Sequence, residues 1–412
     1  MSIHDNGLRF QGRNVLLAHR IRLDPNNVQA TCLAQAAGIA RFAYNWALEE
    51  WQRQYELCKT NPALPKPNER ALRRQLNAIK RGTFPWMLEV TKNAPQMAII
   101  QLGQAFKNFF AGLTRYPAFR KKGRDDRFTI TNDQFSIQKK RIRIPKLGWV
   151  RMRESLRYAG HIVSATISRH ADYWYVSITV DTPADLLLPL AENQSPVGVD
   201  LGITALATLS NGEKVVGPKA MTTLLSRLRR LGRSLSRKKK GSCNWQKAKR
   251  KLALLHARIA YLRHDCLHKL TTDLTHRFHT IIIEDLNVKG MLKNHHLARA
   301  ISDMGFHELR RQLTYKTAWR ATNLVIADRW YPSSKLCSSC GYKLETLDLA
   351  VRQWACPACH VIHDRDINAA INLRNLAVSS TAAACGGEGS GFVCKCEVKP
   401  APVKQESNGK KA

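Results

Sequence analysis

The chain contains 412 residues, of which 44% are hydrophobic, and its 66 Lys and Arg residues against 31 Asp and Glu residues give a formal net charge of +35. This charge predicts a polyanionic partner, whereas the hydrophobic fraction excludes a wholly disordered basic protein and is sufficient for two or three packed domains. No apolar run approaches the roughly 18 residues that a membrane-spanning helix requires, so we expect no membrane partner.

The amino terminus and the cysteine content indicate the compartment in which the chain works. Residues Met1–Asp5 contain no basic stretch that leads into an apolar segment, so we expect no secretory signal and a cytoplasmic location. In a reducing cytosol, the eleven cysteines are better explained as metal ligands and scattered buried thiols than as a disulfide framework.

The first half of the chain begins with one predicted strand, residues 14–23, which ends at Asp24-Pro25. Apolar residues at helical spacing then predict helices in three segments, around 29–51, 72–79 and 97–110. Together these helices make up an α-helical block over residues 27–115.

Strand-like patterns return after the helical block, at residues 128–130, 141–145, 162–167 and 174–180. We therefore expect a small β-barrel formed by residues 1–26 and 116–182, with the helical block 27–115 inserted into it.

Basic and aromatic residues alternate along the second part of the predicted barrel. The basic residues are Arg120, Lys121, Lys122, Arg124, Lys139, Lys140, Arg141 and Arg143. The aromatic residues are Tyr116, Phe119, Phe128 and Trp149. Cations beside flat apolar side chains suit a surface that follows a nucleic-acid backbone and stacks its bases. A solvated barrel face with its aromatic residues in the core is the alternative interpretation.

The second half of the chain follows a proline-containing linker, residues 183–196, and begins with a predicted strand over 197–203. Between Lys214 and His264 the chain has sixteen Lys and Arg residues and no Asp or Glu. Leucines at helical spacing predict a basic helical hairpin over residues 220–275. Because unbalanced positive charge repels itself, we expect this hairpin to contact nucleic acid; the alternative is a solvated basic face.

Three carboxylates each adjoin an apolar segment. Asp200 follows Val197–Val199, Glu284 follows Ile281–Ile283, and Asp366 begins a helical run. If these residues meet at one edge of a sheet, they can hold two Mg²⁺ ions about 4 Å apart, the arrangement that cleaves phosphodiesters. Taken singly, Asp200 could form a turn, Glu284 could cap a helix or form a salt bridge, and Asp366 could be a helix N-cap.

Two further aspartates lie beside these carboxylates. Strand alternation directs Asp285 away from the face that carries Glu284, so we expect Asp285 to be structural. Asp364 lies two residues before Asp366 and competes with it as the third metal ligand, and we favour Asp366.

Two Cys-x-x-Cys pairs are the most specific motif in the chain. Cys337, Cys340, Cys356 and Cys359 have the spacing of a tetrahedral structural zinc site, and four thiolates leave no open coordination position for catalysis. They predict one Zn²⁺ in a zinc ribbon over residues 331–361. A thioredoxin-like redox pair is the competing interpretation, but a redox site needs only one such pair.

Other residues near the predicted ribbon and elsewhere are not expected to bind zinc. His360 and His363 flank the ribbon without being ligands, although His363 could touch a substrate. The cysteines without zinc spacing are ordinary thiols, and they are Cys32, Cys58, Cys243 and Cys266. Residues 378–412, which include Cys385, Cys394 and Cys396, have the composition of a disordered tail.

The motifs of this chain together resemble those of the TnpB family, the OrfB proteins of insertion sequences, which is thought to be ancestral to the type V CRISPR effectors. The resemblance extends over most of residues 14–377. It is carried by Val199–Gly202, Ile283–Asn287, Pro332–Lys335, Asp364–Ala370, Gly38–Asn45 and Tyr116–Lys122.

This resemblance implies a fold that combines α/β and β structure. It implies an RNase H-like (RuvC) nuclease over residues 197–330 and 362–377 with the zinc ribbon inserted, joined to a wedge-type β-barrel that carries a helical recognition insertion. It also implies that Asp200, Glu284 and Asp366 form the catalytic triad, with the first two binding the Mg²⁺ ions and Asp366 completing the coordination shell.

The resemblance further implies the partners and the reaction. A guide RNA derived from the transposon end would direct the protein to double-stranded target DNA, which would be cleaved next to a short element-adjacent motif, and the bound protein would be associated with the nucleoid. Two other functions remain open: an RNA-guided regulator that binds DNA without cleaving it, against which the intact triad argues, and an accessory transposase that joins DNA strands.

Overall fold

A computed structural model describes residues 14–184, 195–348 and 350–383 of the chain. Parts of the predicted first barrel segment (1–13), the linker (185–194) and the tail (384–412) lie outside the described residues, and so do Cys385, Cys394 and Cys396. Among the helices of the described part, none combines the length and the apolar character that crossing a membrane requires.

A seven-stranded antiparallel sheet forms the first half of the molecule. Its strands are β1 (Asn14–Asp24), β2 (Arg127–Thr131), β3 (Ser136–Gln138), β4 (Arg141–Ile144), β5 (Gly148–Met152), β6 (His161–His170) and β7 (Tyr173–Pro183), in the order β2-β6-β7-β1-β5-β4-β3. Strand β7 continues three residues beyond the predicted end at Val180, because Pro183 still pairs with Asn14.

The two edge strands of this sheet, β2 and β3, are consecutive in the chain. The connection from Thr131 to Ser136 can span at most about 18 Å, whereas the edges of a flat seven-stranded sheet would lie about 29 Å apart. The sheet must therefore curl so that its edges approach each other.

Three helices lie between β1 and β2 in the chain. They are α1 (Asn27–Thr60), α2 (Glu69–Thr83) and α3 (Asn93–Phe110). Helix α1 begins at a capping box, in which Asn26 and Gln29 exchange side-chain and backbone hydrogen bonds. The buried side chains of the three helices and of the curled sheet form one continuous hydrophobic core. The helical block is therefore packed on the sheet and does not have a separate core.

A five-stranded sheet forms the second half. Its strands are β8 (Val197–Asp200), β9 (Ala207–Leu209), β10 (Lys214–Val215), β11 (Thr280–Glu284) and β12 (Asn323–Ala327), in the order β10-β9-β8-β11-β12. Strands β8, β11 and β12 are parallel to one another. Strand β9 pairs antiparallel with β8 on one side and with β10 on the other. The strand predicted over 197–203 ends at Asp200, and the turn at Asn211–Gly212 connects β9 to β10.

The remaining elements surround this second sheet. The helices are α4 (Ala220–Ser236), α5 (Cys243–Arg277), α6 (Val288–Met291), α7 (Ala298–Met304), α8 (Phe306–Arg320) and α9 (Arg365–Ala383). The short strands β13 (Gln353–Ala355) and β14 (Ile362–Asp364) pair with each other near the cysteine motifs. Helix α9 continues six residues into the segment predicted as a tail.

Helices α4 and α5 form an antiparallel hairpin that carries the basic segment, and a buried carboxylate anchors it. Asp303 of α7 accepts hydrogen bonds from the backbone N–H groups of Met221 and Thr222, at distances of 2.9–3.2 Å. Its Oδ1 also accepts a 3.1 Å hydrogen bond from Arg263 of α5. One side chain thus fastens both helices of the hairpin to the segment that follows β11.

Candidate active site

Asp200 and Glu284 end two adjacent parallel strands. Strand β8 pairs with β11 so that Val199 lies opposite Ile283, and each carboxylate comes one residue later. The residues before them are fully buried, because both strands are covered by helices, while Asp200 and Glu284 themselves are half-buried. The two carboxylates therefore lie side by side at the carboxyl edge of the sheet.

Helix α9 brings Asp366 to the same edge. The helix packs directly on β8 at Gly198, where a β-carbon would lie only 1.9 Å from the Ala370 carbonyl oxygen and 2.6 Å from the Arg374 nitrogen. Only glycine allows this approach. Since Asp366 lies in the first turn of α9, the close packing directs that end of the helix toward Asp200.

The electrostatics of Asp200 show that the three carboxylates interact. Burial, and then the negative charges of Glu284 and Asp366, raise the pKa of Asp200 from 3.8 to about 8. Arg365 and Arg352 act in the opposite direction but do not compensate. Such a cluster of half-buried carboxylates is suited to bind a cation, because a cation would remove their mutual repulsion.

Glu284 and Asp366 are each held by a residue from the segment between β12 and α9. Ser333 donates a hydrogen bond from its hydroxyl to Glu284 Oε1 at 2.5 Å. The guanidinium of Arg352 lies 3.5 Å from Asp366 Oδ1. Sequence reasoning missed both contacts; the Pro332–Lys335 motif included Ser333, but nothing in the sequence indicated its partner.

Asp364 has a different environment from Asp366. Its Oδ1 accepts hydrogen bonds of 3.1 Å from the backbone N–H groups of Asp366 and Ile367, which makes Asp364 the N-cap of α9. Its Oδ2 forms a 2.8 Å ion pair with Lys214. Burial alone would raise the pKa of Asp364, but these contacts outweigh it and lower the pKa below 3.8. Both oxygens of Asp364 are thus already engaged.

Asp285 is also engaged in structural contacts. Its carboxylate accepts hydrogen bonds from Arg310 at 2.5 Å and from Arg329 at 2.7 Å. Burial by itself would raise the pKa of Asp285, but the two arginines outweigh this and lower it. Asp285 therefore ties β11 to α8 and to the segment after β12.

The four cysteines of the predicted ribbon converge. The Sγ atoms of Cys337, Cys340, Cys356 and Cys359 all lie within 4.8 Å of one another, and the described part of the chain has no other group of three or more His, Cys, Asp or Glu residues this tight. Cys337 and Cys359 are 3.6 Å apart, as are Cys340 and Cys356. In a tetrahedron with Zn–S bonds of about 2.3 Å the sulfurs lie roughly 3.8 Å apart, so the thiols fit one zinc ion.

His363 does not face a substrate surface. The side chain is buried, its Nε2 lies 3.1 Å from Cys337 Sγ, and its ring packs against Trp354 at a centroid distance of 4.9 Å. The suggestion that His363 could touch a substrate is therefore wrong. Its position is that of a residue supporting a zinc thiolate.

The predicted stacking surface on the first sheet is only partly accessible. Tyr116, Phe119 and Trp149 are exposed, but Phe128 is 2% exposed because its side chain points into the core shared by the sheet and the helices. Phe128 was predicted as a stacking residue, and its burial excludes that role.

A basic cleft lies between the seven-stranded sheet and the α4–α5 hairpin, with a volume of about 1030 Å³. The guanidinium of Arg20 lies 4.1 Å from the ring centre of Tyr175, and that of Arg22 lies 3.6 Å from the ring centre of Tyr173. The hairpin contributes further cations, Arg227, Arg230, Lys251 and Arg258. Cations combined with aromatic rings suit a nucleic-acid backbone and its bases.

Comparison with protein families and curated proteins shows what this chain is similar to. The model of the IS605 OrfB family, described as "Probable transposase", matches residues 175–295. A second family model, described as "Cas12f1-like, TNB domain", matches residues 306–373. A protein of Streptomyces pristinaespiralis named "Putative RNA-guided DNA endonuclease" is 39% identical, over 91% of this chain and 92% of its own length. The chain belongs to the TnpB family.

Other comparisons agree with membership of the TnpB family. InsQ of Escherichia coli K12, which carries the same descriptive name, is 33% identical over 90% of this chain and 94% of its own length. The fold is similar to that of a Cas12f1 protein solved in a complex with sgRNA and target DNA, with a TM-score of 0.50, 12% identity, and coverage of 88% of this chain and 99% of the other.

A third family model, described as a "Helix-turn-helix domain", matches residues 14–59 of this TnpB protein. In the structure this segment contains strand β1 and most of the single long helix α1. The matched residues therefore form a strand followed by a helix, without the second helix that the description suggests.

Proposed function

We propose that this TnpB-family protein is an RNA-guided DNA endonuclease encoded by a transposon. A guide RNA from the transposon end would direct it to double-stranded target DNA, which it would cleave next to a short adjacent motif. The names of the 39% and 33% identical relatives support this proposal, since both match nearly the whole chain. The protein would act in the cytoplasm and be associated with the nucleoid when bound to DNA.

The proposed fold follows the same relationship. Three adjacent parallel strands, extended on one side by the antiparallel-paired β9 and β10 in the order β10-β9-β8-β11-β12, support a RuvC, RNase H-like nuclease over residues 197–330 and 362–377. The four-cysteine cluster supports a zinc ribbon over 331–361. The curled seven-stranded sheet supports a wedge-type barrel over 1–26 and 116–182, with the recognition insertion 27–115 on it.

The observation that carries the nuclease proposal is the convergence of Asp200, Glu284 and Asp366 at one sheet edge, where burial and then the charges of the other two carboxylates raise the pKa of Asp200. Asp200 and Glu284 would bind two Mg²⁺ ions, and Asp366 would complete the coordination shell. Such ions stabilise the attacking and leaving oxygens of phosphodiester hydrolysis.

Residues around the site would orient the carboxylates and balance part of their charge. Ser333 orients Glu284 through its 2.5 Å hydrogen bond, and Arg352 balances part of the negative charge at Asp366. Asp364, fixed as the N-cap of α9, holds the first turn of the helix that presents Asp366.

The basic cleft supports the proposed RNA and DNA partners. It joins the curled sheet to the α4–α5 hairpin, so a nucleic acid bound there would contact both halves of the protein. Because most of this affinity would come from phosphate contacts, we expect it to fall steeply with salt concentration.

A cleavage assay tests the proposal. The protein is purified with the RNA that accompanies it, the RNA is sequenced, and Mg²⁺-dependent cleavage is measured on a plasmid that carries the matching target beside a randomised flank. We expect one discrete RNA, and cleavage that Asp200→Ala reduces roughly 10³-fold or more while RNA binding is kept.

Asp366→Asn and Asp364→Asn form a matched pair in the same assay. Asn can still cap α9, so Asp364→Asn should keep most of the activity, whereas Asp366→Asn should lose it. Heterogeneous RNA without cleavage would indicate a basic accessory protein of transposition. A discrete RNA with tight target binding and no cleavage would indicate a non-cleaving regulator.

A further inference from the structure

Trp330 is the most exposed large hydrophobic residue in the described part of the chain, with 85% of its surface accessible. It lies on the turn that follows β12, three residues after the strand ends at Ala327. A single exposed aromatic residue is ordinary on a protein surface, so its exposure alone indicates no function. Its location and the rigidity of its turn are what suggest a role.

The turn that carries Trp330 is fastened on both sides. Asp328 accepts two backbone hydrogen bonds. Its Oδ1 accepts one of 2.8 Å from the N–H of Trp330, and its carbonyl oxygen accepts one of 3.1 Å from the N–H of Tyr331. Arg329 donates to Asp285 at 2.7 Å, and the Tyr331 hydroxyl donates to the Asn372 carbonyl of α9 at 3.2 Å. The backbone is thus held in place while the indole of Trp330 projects into solvent.

The same turn lies at the edge of the sheet that carries the carboxylates. Ala327 pairs with Glu284 in the parallel register of β11 and β12. Ser333, three residues after Trp330, donates its hydroxyl to Glu284. The α-carbons of Trp330 and Ser333 can therefore be at most about 11 Å apart, which is the rise of roughly three nucleotides in B-form DNA and fewer in an extended single strand.

An exposed indole on a fixed turn beside the proposed cleavage site has the properties of a base-stacking platform. Every base has a flat face, so stacking on an aromatic side chain does not depend on sequence. Because the turn is already fixed, little backbone entropy is lost when a base stacks on the ring. In duplex DNA the base faces are covered by their neighbours, so the partner that fits is a single strand.

We infer that Trp330 stacks on a base of the single DNA strand entering the active site and so positions the scissile phosphate near Asp200, Glu284 and Asp366. This inference rests on the proposed nuclease function. In this role Trp330 positions the substrate and takes no part in proton transfer or metal binding.

Fluorescence of 2-aminopurine tests the inference without cleavage. Target DNA carrying 2-aminopurine at successive positions of the strand to be cut is bound to the RNA-loaded Asp200→Ala protein, in buffer without Mg²⁺. We expect one or two adjacent positions to be quenched by stacking. Quenching should disappear with Trp330→Ala, persist in part with Trp330→Phe, and remain unchanged with Phe110→Ala, a control residue that is 71% exposed at the end of α3.

Cleavage by the otherwise unaltered protein provides the second measurement. Trp330→Ala should raise the KM for the guide-matched target DNA about 5- to 100-fold, the usual effect of losing one stacked base, with a smaller change in kcat. Trp330→Phe should restore most of the loss.

The outcomes separate this inference from the proposed function. Cleavage that is unaffected by Trp330→Ala, with quenching retained, would overturn the stacking role and leave the nuclease intact. Cleavage that survives Asp200→Ala would overturn the proposed active site. Equal loss of kcat in Trp330→Ala and Trp330→Phe, with no position-specific quenching in the unaltered protein, would show that Trp330 is only structural.

Discussion

The cysteine cluster and the carboxylate cluster are built in opposite ways. The four thiols come from one short segment, residues 337–359, and already lie at the spacing of a zinc tetrahedron. The three carboxylates come from two strands and a helix that are far apart in the chain, and they meet only when the second sheet and α9 have assembled. A local motif therefore predicts the first site, whereas the second depends on the whole fold.

The energetics of the two clusters also differ. Zinc binding by four thiolates contributes directly to the stability of a small ribbon, because the unfolded segment has no preformed site. In the carboxylate cluster, burial of Asp200 and then repulsion by Glu284 and Asp366 raise the pKa of Asp200 to about 8. By this argument zinc would stabilise the fold at the cysteines, whereas the carboxylates cost stability unless a cation binds them.

Loss of zinc should have the largest effect, because the ribbon segment supports the carboxylates. Ser333, which precedes the first cysteine pair, contacts Glu284, and Arg352, which lies between the two pairs, contacts Asp366. We expect Cys356→Ser to lose the zinc, to make residues 331–361 sensitive to protease, and to reduce cleavage roughly 10³-fold or more.

Cys243→Ser is the matched control for the zinc experiment, because Cys243 is exposed at the start of α5 and lies outside the cluster. Metal content, proteolysis and cleavage should all remain unchanged in this variant. If Cys356→Ser lost zinc but still cleaved normally, the two sites would be independent, and the structural link through Ser333 and Arg352 would be unimportant.

An intermediate effect is expected from Arg352, the residue that connects the two clusters. Its positive charge lies 3.5 Å from Asp366 and lowers the pKa of Asp200. Arg352→Ala should therefore reduce cleavage about 10- to 100-fold and shift the pH–rate profile to higher pH, since the carboxylates would hold their protons more tightly. Arg352→Lys should restore the pH profile at least in part. An unchanged pH–rate profile in Arg352→Ala would mean that the charge of Arg352 does not affect the carboxylates and that its contact with Asp366 is only structural.

The sequence predicted which residues form each cluster but not the contacts that support them. Hydrophobic runs that end in Asp200 and Glu284 predicted two buried strands, and the resemblance to TnpB implied that the two residues meet; the parallel pairing of β8 and β11 brings them together. The roles of Ser333, Arg352 and Asp303 could not be predicted, because each depends on a contact between segments that are distant in the chain. Burial of His363 was missed for the same reason, since only the packing of β14 against the cysteines reveals it.

The smallest expected effect is a change in folding stability when the charge of Asp200 is removed from the carboxylate cluster. The unfolded chain releases the Asp200 proton near pH 4, whereas the folded protein holds it up to about pH 8. Between these values the unfolded state binds fewer protons, so this residue makes stability fall as pH rises. Asp200→Asn removes the charge and keeps the shape, so it should stabilise the protein without added Mg²⁺ by about 2 kcal/mol at pH 8 and by little at pH 4.

Denaturant unfolding at several pH values measures this gain, with each variant compared with the unaltered protein at the same pH, because thiolate ligands release zinc as the pH falls. Asp364→Asn provides the contrast, because the pKa of Asp364 is lowered in the folded state and its ionised form is stabilising. That variant should lose stability at pH 8, and its loss should shrink as the pH falls below 4. Equal behaviour of the two variants would mean that the carboxylate cluster has no stability cost, and the contrast with the cysteine cluster would then rest on geometry alone.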